Sequence, residues 1–312
     1  MAGPSGIPRN GPHRRGRFFR FCILFDTRKN VALYCGGTPC DRVIRRVLPR
    51  FTRPFTIALE RRTDGMTHFA SLSDDFYVNM NLMTEMELPG QRETVLHFFE
   101  CLQKHYPTMR KFYCREKRDF VLEEEKDSGR YRWTAVESRR LSSGEVNPAS
   151  PEAAMKQHRL VLDLAPALLS VSPLDCEALD LLFGFDFAYR GNHNALLAEA
   201  LGVGPSLEPM GDIPGTRVIN YEPSITLAVD EECRTQVRVS TETRTNAFQV
   251  RTGDYSEEQL SVYVTARQYG SLDPTVGYVE AIDRLYGLAM DVIENCVVDQ
   301  ILRPLARTIA MK

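Results

Sequence analysis

The chain has 312 residues, 43% of them hydrophobic and 26% charged, a globular composition that excludes a disordered chain, a collagen or a coiled-coil rod. Its longest apolar runs, Phe21 to Phe25 and Leu181 to Phe187, are strand-sized and fall short of the roughly 18 residues that span a bilayer, so no membrane segment is expected. Eight cysteines at 22, 35, 40, 101, 114, 176, 233 and 296 show no Cys-x-x-Cys spacing, which points to reduced thiols and a cytoplasmic location and away from a zinc knuckle or disulfide framework.

A net charge of −2 conceals an asymmetry. Residues 1–65 carry 14 Lys+Arg against 4 Asp+Glu, and residues 66–312 carry 25 against 37. The leader is rich in arginine and proline and has no period of 2 or 3.6, whereas sharp patterning begins soon after Met66. Three readings fit it: an upstream region joined to a chain that starts at Met66, a basic arm for nucleic acid, or a targeting segment. The first fits the lack of pattern best, and nucleic acid is a partner only if residues 1–65 belong to the native chain.

From Phe76 to Leu88 apolar residues alternate with Tyr77, Asn79, Asn81, Glu85 and Glu87, which predicts a thirteen-residue strand. Pro89 and Gly90 end it, and Val95, Phe98, Phe99 and Leu102 then mark a helix to about Tyr106. Strands are expected over Lys111 to Glu124 and Arg130 to Arg140, joined by a Glu125–Gly129 turn. Trp133, Tyr131 and Phe112 are expected to cover core. Ser150 as N-cap and Pro151 at N1 open a second helix, disturbed at Pro166, and Phe183 to Tyr189 alternates as another strand. This β-α-β-β-α-β order over 76–189 resembles a ferredoxin-like unit in topology.

Asn192 caps a short helix, His193 to Leu201, which Gly202 ends. A Gly- and Pro-rich connection leads to a four-stranded antiparallel meander built on Ile225–Val229, Val237–Thr241, Phe248–Val250 and Leu260–Ala266. Asp273 and Pro274 begin the longest helix, whose apolar stripe continues to the C-terminus through a kink near Pro304. The expected fold is α+β: antiparallel sheets packed on helices, with a ferredoxin-like part over 66–190 and a meander plus long helix over 191–312, separate or sharing one sheet.

No phosphate loop, dinucleotide fingerprint, His-Glu-x-x-His or Gly-x-Ser-x-Gly elbow is present. No metal site and no cofactor are expected. The strongest local candidate is Tyr189 to Asn194, where Arg190, Asn192 and His193 sit at a strand-to-helix junction whose free N–H groups suit an anion. The simpler reading is a plain helix cap. A second candidate is the polar parity of the meander: Arg238, Ser240, Glu242 and Arg244 on one strand, Ser261, Tyr263, Thr265 and Arg267 on another. Arg244 and Arg267 would belong to a ligand or partner surface, against the simpler reading of a solvated charge ladder. Asp74 and Asp75 read as a strand entry.

Three stretches, Thr84 to Gly90, Leu181 to Phe187 and Thr241 to Thr245, resemble bacterial, planctomycete-like proteins of unassigned function. The resemblance implies the late start at Met66 and carries no activity. With no catalytic motif, and with apolar residues on more than one stripe of the last helix, the leading expectation is a non-enzymatic binding or scaffolding protein with a protein partner or a second copy of itself. An enzyme or small-anion binder at Arg190 and His193 is the alternative.

Overall fold

The structure is a computed structural model, described here for residues 68–115 and 119–312. The basic leader and the proposed start at Met66 lie outside the described residues.

Strand β1, Asp75–Thr84, alternates half-buried and buried residues as its sequence requires. It stops four residues earlier than expected. Met86 donates its N–H to Asp175 Oδ1 (2.8 Å) and accepts from Thr84 Oγ1 (2.7 Å), a local turn that ends the ladder. Helix α1, Arg92–His105, buries Val95, Phe98, Phe99 and Leu102. The expected strand Lys111 to Glu124 is a pair, β2 Lys111–Cys114 with β3 Phe120–Glu123, whereas β4 Tyr131–Val136 fills the expected Arg130 to Arg140 strand and its partner β5, Arg140–Val146, runs beyond the expected strands. The β4–β5 turn closes through Glu137 N–H to Arg140 O (2.8 Å), with neither Gly nor Pro to announce it.

Helix α2, Pro151–Leu169, starts as the sequence predicts, with Ser150 accepting from Ala153 N–H. It runs through Pro166 and ends only at Ser170, where φ is +55°. Strand β6, Cys176–Arg190, is followed by α3, His193–Leu201. Then come β7 Ser224–Ala228, β8 Thr235–Glu242, α4 Ala247–Thr252 and β9 Glu257–Tyr269. The segment around Phe248 and Val250, expected as a strand, is therefore a helix. A capping box drives it: Asn246 Oδ1 accepts from Gln249 N–H and Gln249 Oε1 accepts from Asn246 N–H, both at 3.0 Å.

The last helical stretch joins α5, Gly277–Val292, a π-helical segment, Ile293–Leu302, and α6, Arg303–Ala310. Asp273 caps a turn ahead of α5 through Thr275 N–H (2.8 Å) rather than the helix itself. The wide turns end beside Pro304, which has no N–H to give, and Arg303 N–H reaches back five residues to Val298 O. A stretch of π-helix precedes Pro304, where the kink is expected.

All nine described strands form one antiparallel sheet in the order β2-β3-β4-β5-β1-β6-β9-β8-β7. The fold class is α+β as expected, and one continuous sheet runs through both halves. The first half follows the expected ferredoxin-like topology: β1 lies between β6 and β5, with β4 beyond β5 and every pair antiparallel, and the β2–β3 hairpin is added at the β4 edge, making six strands. β1 and β4 run parallel with antiparallel β5 between them, which is the split βαβ arrangement. The meander has three strands among the described residues.

The core lies on one face of this sheet. Phe76, Val78, Met80 and Leu82 stand in register with Phe185, Phe183, Leu181 and Leu179 of β6, and these with Val262, Val264 and Ala266 of β9. Helix α2 packs on β1 and β5, α5 packs on β6 and β9, α1 on α2, and α6 on α3. Burying each large side chain contributes about 1.5–3 kcal/mol. Leu227 and Ile225 of β7 have the same facing, yet Ile225 is 47% exposed. The opposite face is polar at its centre, where Tyr77, Asn79 and Asn81 stand beside Gly184, Leu182 and Asp180.

Candidate functional site

At the β6–α3 junction the helix donors are already used. His193 N–H donates to Thr245 Oγ1 (2.9 Å), and Asn192 Oδ1 accepts from Asn194 N–H (3.0 Å) and Ala195 N–H (3.2 Å). His193 is buried. Its Nδ1 accepts from Arg244 N–H (3.2 Å) and Nε2 faces Tyr189 O (3.2 Å), so the neutral tautomer with the proton on Nε2 fits both partners. Burial lowers its pKa. Arg190 turns away, donating through Nε to Tyr255 O (3.1 Å). Arg190, Asn192 and His193 are neighbours in sequence whose polar groups do not converge on a common point. Gly191 is required because a Cβ there would stand 2.5 Å from the Tyr189 ring.

The meander residues Arg244 and Arg267 go to separate networks on the polar face. Arg267 makes a buried two-pronged ion pair with Asp180, Nε to Oδ1 at 2.5 Å and Nη2 to Oδ2, and also donates to the Tyr269 hydroxyl (3.0 Å). Arg244 Nη1 lies 2.8 Å from Glu242 Oε1, and Glu242 Oε2 accepts from the Tyr263 hydroxyl at 2.8 Å. Beside them stands Asp186, whose Oδ1 accepts from the Tyr77 hydroxyl at 3.4 Å. Burial pushes the Asp186 carboxyl up to about 6, against the opposing pull of Ser261 and Arg244. Tyr77 lies over Gly184, where a Cβ would approach its ring to 2.2 Å.

This cluster draws one residue or two from each of β1, β6, β8 and β9, and Asp186 lies 109 positions from Tyr77. The sequence marks its polar parity and nothing else. Trp133, expected in the core, is half-buried on the same polar face, against the site where a Gly144 Cβ would stand, and Phe112 is 38% exposed. Asp75, which opens β1, and Asp74, which precedes it, have different partners: Asp75 Oδ1 accepts from Asn147 Nδ2 (2.7 Å), and Asp74 Oδ2 accepts from Ala188 N–H (2.6 Å). Asp74 also edges an open recess of about 200 Å³ lined mainly by Leu72, Phe187, Ala306 and Ile309.

A different kind of site is the free edge at β7. The bonds Val229 N–H to Thr235 O (2.9 Å) and Thr241 N–H to Pro223 O (3.2 Å) fix the pairing phase with β8. Residues 223, 225, 227 and 229 therefore turn their backbone groups toward β8, and Ser224, Thr226 and Ala228 turn theirs outward. Among the described residues β7 has no second neighbour strand. Every β7 residue except Leu227 is exposed, and of the exposed large apolar residues Leu207, Met210, Ile213, Val218, Ile219, Ile225 and Val229 belong to β7 and the segments flanking it in the chain. Hydrogen bonds hold this corner: Asn194 Nδ2 to Ile219 O (2.9 Å), and Arg217 Nη1 to Val250 O (2.8 Å). The opposite edge, β2, has four residues and a lysine at its start, a guarded edge of the usual kind.

Among the described residues no group of three His, Cys, Asp or Glu side chains is placed to hold a metal ion, and no helix is long and apolar enough to cross a membrane. Fold and sites define an α+β protein with a polar sheet face and, among the described residues, one unguarded sheet edge. Comparison with family models, curated proteins and solved structures finds no match to this chain.

Proposed function

We propose that this protein is a non-enzymatic binding module, cytoplasmic in location, that engages a protein partner by adding the partner's extended segment to its sheet at β7. The observation that carries this reading is the outward N–H and C=O row of Ser224, Thr226 and Ala228 on a strand whose apolar residues Ile225 and Val229 are 47% and 40% exposed. An uncharged strand left open in this way is a template for another chain. Main-chain hydrogen bonds then supply affinity and alternate side chains supply selectivity.

The anion-binding alternative at Arg190 and His193 lacks support of this kind, because the helix donors there already have partners. A photo-crosslinking residue placed at Thr226 of the full chain tests the proposal in cell extract. A discrete protein adduct is expected at Thr226 and not at Asn81 on the polar face. Equal labelling from both positions, or none at Thr226, overturns it.

A further inference from the structure

The two ends of β7 are acidic. Glu222 precedes the strand by two residues, and Asp230, Glu231 and Glu232 follow it. Among the described residues none of these four carboxylates forms an ion pair. Glu222 Oε1 accepts from Thr243 N–H (2.7 Å) and Oγ1 (3.0 Å), and Asp230 accepts from Arg234 N–H (2.8 Å) and Thr235 N–H (2.5 Å). These bonds fix the carboxylates in place without neutralising them. The nearby cations pair with none of these carboxylates: Arg234 donates to Tyr269 O (3.1 Å) and Ser271 O (2.7 Å), and Arg238 Nε donates to Ser224 Oγ of β7 (3.2 Å).

On the reading that β7 takes a partner strand, we infer that the strand comes from another protein and is an extended segment with apolar residues at alternate positions and Lys or Arg at both ends. Glu222 and Asp230 are eight residues apart, or about 27 Å in extended chain, so the partner's cations stand at about the same spacing. An antiparallel pair of two β7 strands centred on Thr226 instead sets Glu222 of each copy against Asp230 of the other. Like charges directly opposite destabilise a ladder, and the acidic ends therefore select against a second copy and for a basic segment.

Labelled nine-residue peptides of alternating Thr and Val, capped at both ends and flanked by Lys or by Glu, test this in a fluorescence-anisotropy titration of the full chain. The Lys-flanked peptide is expected to bind at least tenfold more tightly than the Glu-flanked one at low salt. The gap should narrow as salt screens it and close in a Glu231→Lys, Glu232→Lys variant, which brings the four positions to zero net charge. Thr226→Pro removes an outward N–H without taking a bond from β8 and is expected to abolish binding while the protein stays folded. Equal affinity for both peptides, lost together in Thr226→Pro, overturns the basic segment and leaves the strand-addition reading standing. Binding that survives Thr226→Pro, or no binding of either peptide, overturns both. A dimer by light scattering that Thr226→Pro dissolves names a second copy as the occupant and overturns the basic segment.

Discussion

Ser143 Oγ lies 2.7 Å from Nδ1 of His158, in a layer between β5 and α2 where neither side chain meets solvent. The pair has the look of a nucleophile and its base, and complete burial assigns it to packing instead. Burial pushes His158 down to about 3. The unfolded chain takes up a proton near the ordinary histidine value of about 6.5, while the folded chain refuses it until about 3, so stability is complete above 6.5 and is lost as pH falls through that window. Urea midpoints should drop between pH 7 and pH 4, and His158→Gln should flatten that dependence; an unchanged slope contradicts it. Ser143→Ala is expected to cost about 1–3 kcal/mol at neutral pH by orphaning the ring nitrogen.

Asp186 has the opposite sign. Burial raises its folded value to about 6, so the folded state holds a proton that the unfolded chain has already released. The stability associated with it is present at acid pH and is lost as pH rises from about 4 to about 6. Asp186→Asn is therefore expected to stabilise the protein at pH 8 and to have little effect at pH 4, as thermal melts at the two values would show. A loss at pH 8 would mean that the charged carboxylate is a net stabiliser.

Gly184→Ala tests the close approach of Tyr77. The added methyl must displace the ring and its hydroxyl from Asp186, and crowding of this kind costs about 1–3 kcal/mol. A neutral result in a denaturant titration would show that the ring yields freely.

Asp180 and Arg267 form a buried pair, and removal of one partner strands the other charge. Asp180→Ala is expected to lose about 3–5 kcal/mol, and a double replacement by Leu and Met much less. Denaturation of the three variants checks this. Arg267, expected from its strand parity as a ligand-binding residue, has its guanidinium engaged by Asp180.

Local signals carried the elements that depend on local causes. Val95, Phe98, Phe99 and Leu102 fixed α1, and Ser150 with Pro151 and Asn192 fixed two helix starts. The β4–β5 turn was hard to read because Ser138 is a weak turn former on its own and no Gly, Pro, Asn or Asp stands beside it. Helix α4 was misread from the alternation of Phe248 and Val250, although Asn246 and Gln249 hold capping-box spacing. The polar parity of the meander was legible, but not its sorting: which arginine meets which carboxylate depends on strands 87 residues apart, as with Arg267 and Asp180. The open edge was half visible, in an uncharged run bracketed by acidic residues, while its exposure follows only from the end position of β7 in the sheet.

The central claim is that β7 accepts a strand through alternate backbone groups, and amide hydrogen exchange reads those groups one by one. In the isolated protein the amides of Ser224, Thr226 and Ala228 should exchange freely, while those of Leu227 and Val229 are protected by β8. With the Lys-flanked peptide at saturation, the outward amides of β7 should become protected together. Saturated binding that leaves those three amides exchanging at their free rates would contradict strand addition at β7.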